Sequence, residues 1–275
     1  MQSGGGRLRG IGCVALMAVL GMSAQSLRAQ ESFEWSGSLS GGQTLEVRGI
    51  VGDVHAVLAS GSTARVVARK RGDRDDFDEV EVRAIEGRDG IVVCVVYGSW
   101  NFDREGCRSD WNDDHDDRGR DRHDNIDVSV EFEVQVPAGV VFRGASVTGD
   151  VEVEGLRSDV HASSVSGDVR VSSTGVVRAN SVSGELDIEM GSLDWDELEF
   201  STVSGDITLT LPAGLGAEFE FNSLSGDFRS DFDVQNEDRD EHRWVGLDVS
   251  GTIGDGRRSL ELSTVSGDVE LRRRN

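Results

Sequence analysis

Hydrophobic and polar residues alternate over short segments of this chain, and the alternation predicts β-strands throughout. A five-residue pattern recurs in which an aliphatic residue, Ser or Thr, Gly, Asp or Glu, and a second apolar residue follow one another. Its glycines are spaced by 18, 17, 21, 21, 25 and 16 residues. They are Gly149, Gly167, Gly184, Gly205, Gly226, Gly251 (in a degenerate copy) and Gly267, and Gly52 lies in an outlying copy. No ten-residue stretch has a helical period, so the sequence predicts an all-β protein.

Each repeat predicts a half-buried strand that bends at its glycine. The apolar residues around Gly167 share its parity, which predicts that they face inward together with it. They are Val165, Val169 and Val171. Glycine inside a strand permits a bend or the close approach of another backbone. We expect Asp168, beside the glycine, to accept hydrogen bonds from the bent backbone.

The repeats predict a stack, because one repeat cannot bury its apolar face alone. Residues 126–275 are therefore predicted to form a stacked β-solenoid of the parallel β-roll or β-helix type. We expect Gly267 to lie at the end of the stack and the acidic residues 231–240 to protrude as a loop. Residues 31–97 contain five less regular strands that should open the same stack and cap it; the alternative is a β-sandwich beside a short solenoid.

The first thirty residues have the layout of a secretory signal peptide. Arg7 and Arg9 precede an apolar run over 11–22, and small residues follow it. This predicts cleavage between about residues 26 and 30 and a secreted, periplasmic or cell-surface location. No later segment is apolar enough to span a membrane, so we expect no transmembrane segment in the mature chain.

Charge and cysteine content narrow the partners. A net charge of −23 argues against nucleic acid as a partner, because the phosphate backbone would be repelled.

Cys94 and Cys107 remain after cleavage, and in an exported protein such a pair predicts a disulfide. A metal thiolate pair is the alternative, although the mature chain has no second cysteine pair.

Residues 98–125 form an acidic loop rich in Asp and Arg. Its alternating oxygen ligands are faintly similar to a calcium loop, but His115 stands where the sharp turn needs Gly. The weak calcium candidates are Asp110, Asn112, Asp114, Asp116 and Asp121. We favour the interpretation that neighbouring arginines neutralise these acids, and we expect no cofactor.

The repeats, preceded by residues 130–139 (VEFEVQVPAG), resemble the bacterial putative-adhesin β-strand-repeat family, a domain of unknown function. The resemblance spans about residues 33–271, although members often have Asn where this chain has Ser or Thr before Gly-Asp. It implies non-catalytic binding, adhesion or scaffolding at the cell envelope, with a protein or glycan partner. An accessory or sensor component of an envelope-stress system is the alternative.

The third possibility is a carbohydrate-active β-helical enzyme. The outward acids of the repeats would form its ladder of carboxylates. However, no Gly-x-Ser-x-Gly motif is present, and no aromatic residue recurs in the repeats as a sugar platform. The sequence therefore predicts no catalytic residue and a protein that is not an enzyme.

Intact mass tests the predicted processing and disulfide. The exported protein should lack about 26 to 30 residues and weigh two daltons less than its reduced form, owing to a bond between Cys94 and Cys107. Reduction and alkylation provide the control. Two freely alkylatable thiols in the native exported protein would contradict the prediction.

Overall fold

The chain folds into two β-sheets that face each other, as shown by a computed structural model that describes residues 31–98, 126–241 and 246–274. In spatial order, sheet A consists of β1 (Ser32–Ser38), β4 (Thr63–Gly72), β7 (Val128–Val136), β3 (Val54–Leu58), β9 (Val151–Leu156), β11 (Val169–Ser173), β13 (Leu186–Met190), β15 (Ile207–Pro212), β21 (Val269–Arg274) and β17 (Phe228–Ser230). Sheet B consists of β18 (Val234–Glu241), β19 (Leu247–Ile253), β16 (Ala217–Ser225), β20 (Arg258–Ser266), β14 (Glu197–Ser201), β12 (Val177–Ser183), β10 (Val160–Ser166), β8 (Val141–Thr148), β2 (Thr44–Arg48), β6 (Gly90–Tyr97) and β5 (Val80–Glu86). One 3-10 helix, Arg74–Glu79, lies between β4 and β5.

Each repeat is a rung of two strands, one in each sheet. The chain runs along sheet B, turns at the Gly-Asp pair and continues along sheet A, as in β10 followed by β11. Neighbouring rungs pair in parallel and in register on both sheets. Large side chains such as Phe132, Phe142 and Phe200 fill the space between the sheets. The all-β stacked architecture predicted from the repeats is confirmed.

The spatial order of the rungs differs from their order in the chain. The rung β20–β21 inserts between β14–β15 and β16–β17, because β20 pairs with both β14 and β16. Gly267 therefore lies between Gly205 and Gly226, and the expectation that it closes the stack is wrong. A late segment can take this place because the rungs share one strand register.

Antiparallel strands flank the parallel stack at both ends. At one end β6 and β7 pair with β2 and β3, so the predicted N-terminal strands do extend the same stack. Beyond them, β5 pairs antiparallel with β6, and β4 pairs antiparallel with β7. At the other end β18 and β19 extend sheet B as an antiparallel pair. The predicted protruding loop over 231–240 is wrong, since residues 234–240 lie in β18, which pairs antiparallel with β19.

The turn between the two strands of a rung depends on close contact between glycines. A Cβ atom placed on Gly167 would overlap with the carbonyl oxygen of Gly149, and one placed on Gly184 would overlap with that of Gly167. The same relation continues through Gly205 and Gly267. Glycine is therefore required by space at each turn. Gly251 is an exception, because it lies within the antiparallel strand β19 and marks no turn.

The predicted inward face of the repeat is wrong on one side of the turn. Inward parity along β10 runs from Val160 through Ala162 to Ser164, so Val165 points outward and is 47% exposed. Parity begins anew after the bend, and Val169 is buried in sheet A. The motif contains the end of one strand and the start of another, whereas the sequence was interpreted as one strand.

Glycine substitutions test the rung order. Gly167→Ala and Gly267→Ala should each lower the free energy of unfolding by about 1–3 kcal/mol or more, because both glycines face the backbone of a neighbouring rung. Gly61→Ala is the matched control, since nothing lies within 4 Å of its added Cβ. Urea unfolding measures all three. A loss at Gly267 no larger than that at Gly61 would contradict the placement of β20–β21 inside the stack.

Candidate functional site

The outer face of sheet B carries a continuous row of exposed aliphatic side chains, here called the aliphatic ridge. Each belongs to the residue two positions before a turn glycine, and each is between 39% and 51% exposed. In spatial order the ridge consists of Ile50, Val147, Val165, Val182, Val203, Val265 and Leu224. Alternation carried through the glycine places Val165 on the inward face, which is why the repeat pattern did not reveal this row.

Buried hydroxyl groups hold the ridge in its outward position. The residue before each ridge valine faces inward, where its hydroxyl donates a hydrogen bond to the turn glycine of the neighbouring rung. Ser164 Oγ donates to the carbonyl of Gly149 at 2.9 Å, and Ser181 Oγ donates to that of Gly167 at 3.1 Å. Because inward positions alternate along a strand, the next residue must face solvent. A recurring Ser or Thr three residues before the glycine is the signal that would have given the correct parity.

A second row of small polar residues, the polar floor, runs beside the aliphatic ridge. It lies two residues before the ridge residue on five neighbouring strands and consists of Ser163, Asn180, Ser201, Ser263 and Asn222. Because these side chains are short, the floor and the ridge line a groove of about 760 Å³. The groove presents hydroxyl and amide groups along one side and methyl groups along the other.

A third row, the charged column, lies two residues before the floor. In spatial order it runs Glu46, Arg143, His161, Arg178, Glu199, Glu261 and Glu220. Arg143, His161 and Arg178 are consecutive in this column; three glutamates follow Arg178, and Glu46 lies beyond Arg143 at the other end. Arg143 and Arg178 take part in no ion pair with another residue of the described ranges. Burial, assisted by the two flanking arginines, lowers the pKa of His161 below its ordinary value.

An exposed aliphatic row needs a reason in so acidic a protein. Valine favours strands, and stacked valines contact one another, so part of the explanation is stability of the sheet. Threonine would supply the same branched shape with a hydroxyl group, yet every ridge position is Val, Ile or Leu. Contiguous apolar patches of a few hundred Å² on soluble proteins mark interaction sites. The ridge and its groove are therefore the candidate functional site.

The acidic residues of the turns have a structural role. Asp150 Oδ1 accepts a hydrogen bond from the backbone N–H of Asp168 at 2.8 Å, and Asp168 Oδ1 accepts one from that of Glu185 at 2.9 Å. Arg170 contacts the carboxylates of Asp168 at 2.7 Å and Asp150 at 3.8 Å, which offsets their repulsion. The expectation that the turn aspartate accepts backbone hydrogen bonds is confirmed, and its donor lies on the next rung.

Within the described ranges, one group offers three possible metal ligands on the outer face of sheet A. The ligand atoms of His55, Glu152 and Glu154 all lie within 4.8 Å of one another. His55 Nε2 is 3.8 Å from Glu154 Oε2, and both side chains are well exposed. An ordinary surface ion pair accounts for this geometry.

The other predicted site residues fall largely outside the described ranges. The weak calcium candidates between Asp110 and Asp121 and the predicted signal peptide both lie there. Cys94 is buried in β6, whereas Cys107 is outside the description, so their disulfide stays a prediction. No helix in the described part of the chain is long and apolar enough to cross a membrane.

Comparisons with known proteins find similarity to one family model and to solved structures. A family model described as Toastrack DUF4097 matches residues 143–272, from within β8 to within β21. The solved structure of a "putative cell adhesion protein" from Clostridium sporogenes ATCC 15579 aligns over 88% of this chain and 100% of that protein's chain, with 10% sequence identity and a TM-score of 0.43. The solved structure of a "putative adhesin" from Bacteroides fragilis NCTC 9343 aligns over 90% of this chain and 99% of that protein's chain, with 11% sequence identity and a TM-score of 0.34. The comparison with curated proteins finds no match.

Substitutions at Asp168 test the role of the turn acids. Asp168→Ala should lower the free energy of unfolding by about 1 kcal/mol, because the N–H of Glu185 loses its acceptor. Asp168→Asn keeps an acceptor oxygen and relieves repulsion, so its stability should stay close to that of the parent. Urea unfolding compares the two variants. Equal losses would mean that the charge at this turn matters more than the hydrogen bond.

Proposed function

We propose that this is an exported, non-catalytic protein that acts in binding or scaffolding at the cell envelope, with the aliphatic ridge and polar floor as its binding surface. The exposed ridge is the observation that supports this proposal most directly. The turn carboxylates, the most regular set of reactive groups, are engaged in backbone hydrogen bonds and ion pairs. The leader-like N-terminal residues support export.

The chemistry of the surface favours a protein partner over a glycan. Glycan-binding grooves generally use aromatic platforms, and none of the ridge, floor or charged-column residues is aromatic. A row of aliphatic side chains beside hydroxyl and amide groups instead suits a protein surface. The aliphatic side chains can exclude water from apolar atoms of the partner, and the hydroxyl and amide groups can form hydrogen bonds with its polar groups.

A triple variant tests the binding surface. Val165→Thr, Val182→Thr and Val203→Thr together keep the branched shape but replace three exposed methyl groups by hydroxyl groups. Binding of the purified mature protein to envelopes of the producing cells, measured by co-sedimentation, should weaken by about tenfold or more. Protease treatment of the envelopes should abolish the binding of the parent protein.

Val57→Thr, a similar exchange on the outer face of sheet A, is the matched control and should bind as the parent does. Unchanged binding of the triple variant would overturn the assignment of the ridge. Binding that survives protease but is lost after enzymatic removal of glycans would overturn the choice of a protein partner.

A further inference from the structure

The outer face of sheet B is complementary to itself. We infer that two copies of this chain pair face to face through the ridge, floor and charged column, about a two-fold axis that runs parallel to the strands between β12 and β14. This inference rests on the proposed function, since it names the partner of the same surface. A two-fold axis that lies in the plane of the face and runs along the strands turns the second copy over. The order of the rungs is then reversed in the second copy, and each column faces the same column of the first copy.

The charge pattern supports this axis. Three consecutive positions on one side of it are Arg or His, and three consecutive positions on the other side are Glu. Reversal of the rung order places Arg143 and Arg178, and the His161 imidazole between them, opposite carboxylates of the second copy. The resulting pairs are Arg178 with Glu199, His161 with Glu261 and Arg143 with Glu220. Each pair occurs twice in the dimer, and such complementarity favours association in one orientation.

The other two columns match under the same operation. On the ridge, six of the seven aliphatic residues meet another aliphatic residue, so water is excluded along most of the row, and only Ile50 at its end lies outside these pairs. These pairs are Val182 with Val203, Val165 with Val265, and Val147 with Leu224. On the floor, Asn180 meets Ser201 and Ser163 meets Ser263, and both pairs can exchange hydrogen bonds. The operation also brings Arg48 opposite Asp248.

The alternative two-fold axis, along the stack, does not fit. It would keep the rung order and exchange the columns, which places the charged column against the aliphatic ridge. Arg143 and Arg178 would then be desolvated beside valines without a carboxylate partner, which is unfavourable. The face therefore favours one orientation of the second copy.

The size of the face sets the expected strength. Five residues along each strand and seven strands across span roughly 16 Å by 30 Å. That area lies at the low end for specific protein–protein interfaces, so we expect a reversible dimer with a dissociation constant in the micromolar range. Because the contacts include exposed charges, salt should weaken it.

Charge reversal at two distant positions tests the inference. Arg143 and Glu220 lie five strands apart within one chain, or about 24 Å, beyond the Debye length of about 10 Å at 0.1 M salt. Sedimentation velocity on the mature protein at about 0.1 M salt should show that Arg143→Glu or Glu220→Arg alone weakens the dimer by about tenfold or more. The double variant should regain the parent affinity, because the pair is restored between copies.

Rescue in the double variant requires contact between two molecules, since the two positions cannot interact within one. The inference is overturned if the parent protein stays monomeric throughout the micromolar range. It is also overturned if both single variants associate as the parent does, or if the double variant does not regain the parent affinity. The proposed function fails separately. If the parent protein stays monomeric but still binds, through the ridge, to envelopes of cells that lack this protein, the surface binds another protein and the dimer is wrong. If the triple ridge variant binds to envelopes as the parent does, the proposed function itself is wrong.

Discussion

The close contact of glycines at the turns is the constraint on which the rest of the structure depends. At each turn the carbonyl of one glycine occupies the space where the next glycine would carry a side chain. Two backbones can approach this closely only if the residue that faces the carbonyl lacks a Cβ atom, and because this relation repeats from rung to rung it fixes glycine at the same place in each turn. Once the turns are stacked, the strands on both sides follow in parallel register.

The polar residues of the motif form hydrogen bonds with backbone groups of these closely packed turns. Ser164 donates to the carbonyl of the neighbouring glycine, and Asp168 accepts the amide of the neighbouring rung. Both bonds run between rungs, so each repeat is completed by its neighbour. The orientation of the ridge is a consequence of these bonds, because an inward serine forces the following valine outward. Stability at the turn and the exposure of the aliphatic ridge therefore have the same origin.

Much of the fold could be predicted from the sequence, since a pattern repeated at regular spacing reports the local environment of each rung. Assignment of the two faces failed at Val165, because alternation was followed across the bend, where parity is interrupted. The charge pattern was not predictable either. Glu261 follows Glu220 in the chain but precedes it in the stack, and no local pattern shows that β20 lies between β14 and β16. Long-range order of identical rungs is decided by packing, which the repeats themselves do not encode.

The inserted rung also affects how the protein can be made. A ribosome releases β16 and β17 before β20 and β21, yet the final neighbours of β16 and β17 in the stack are those later strands. The growing chain can build its rungs in sequence only as far as β14–β15, and then one place must stay open. The stack can therefore be completed only after β20 and β21 have been made, so β16 and β17 wait for a neighbour that comes later in the chain.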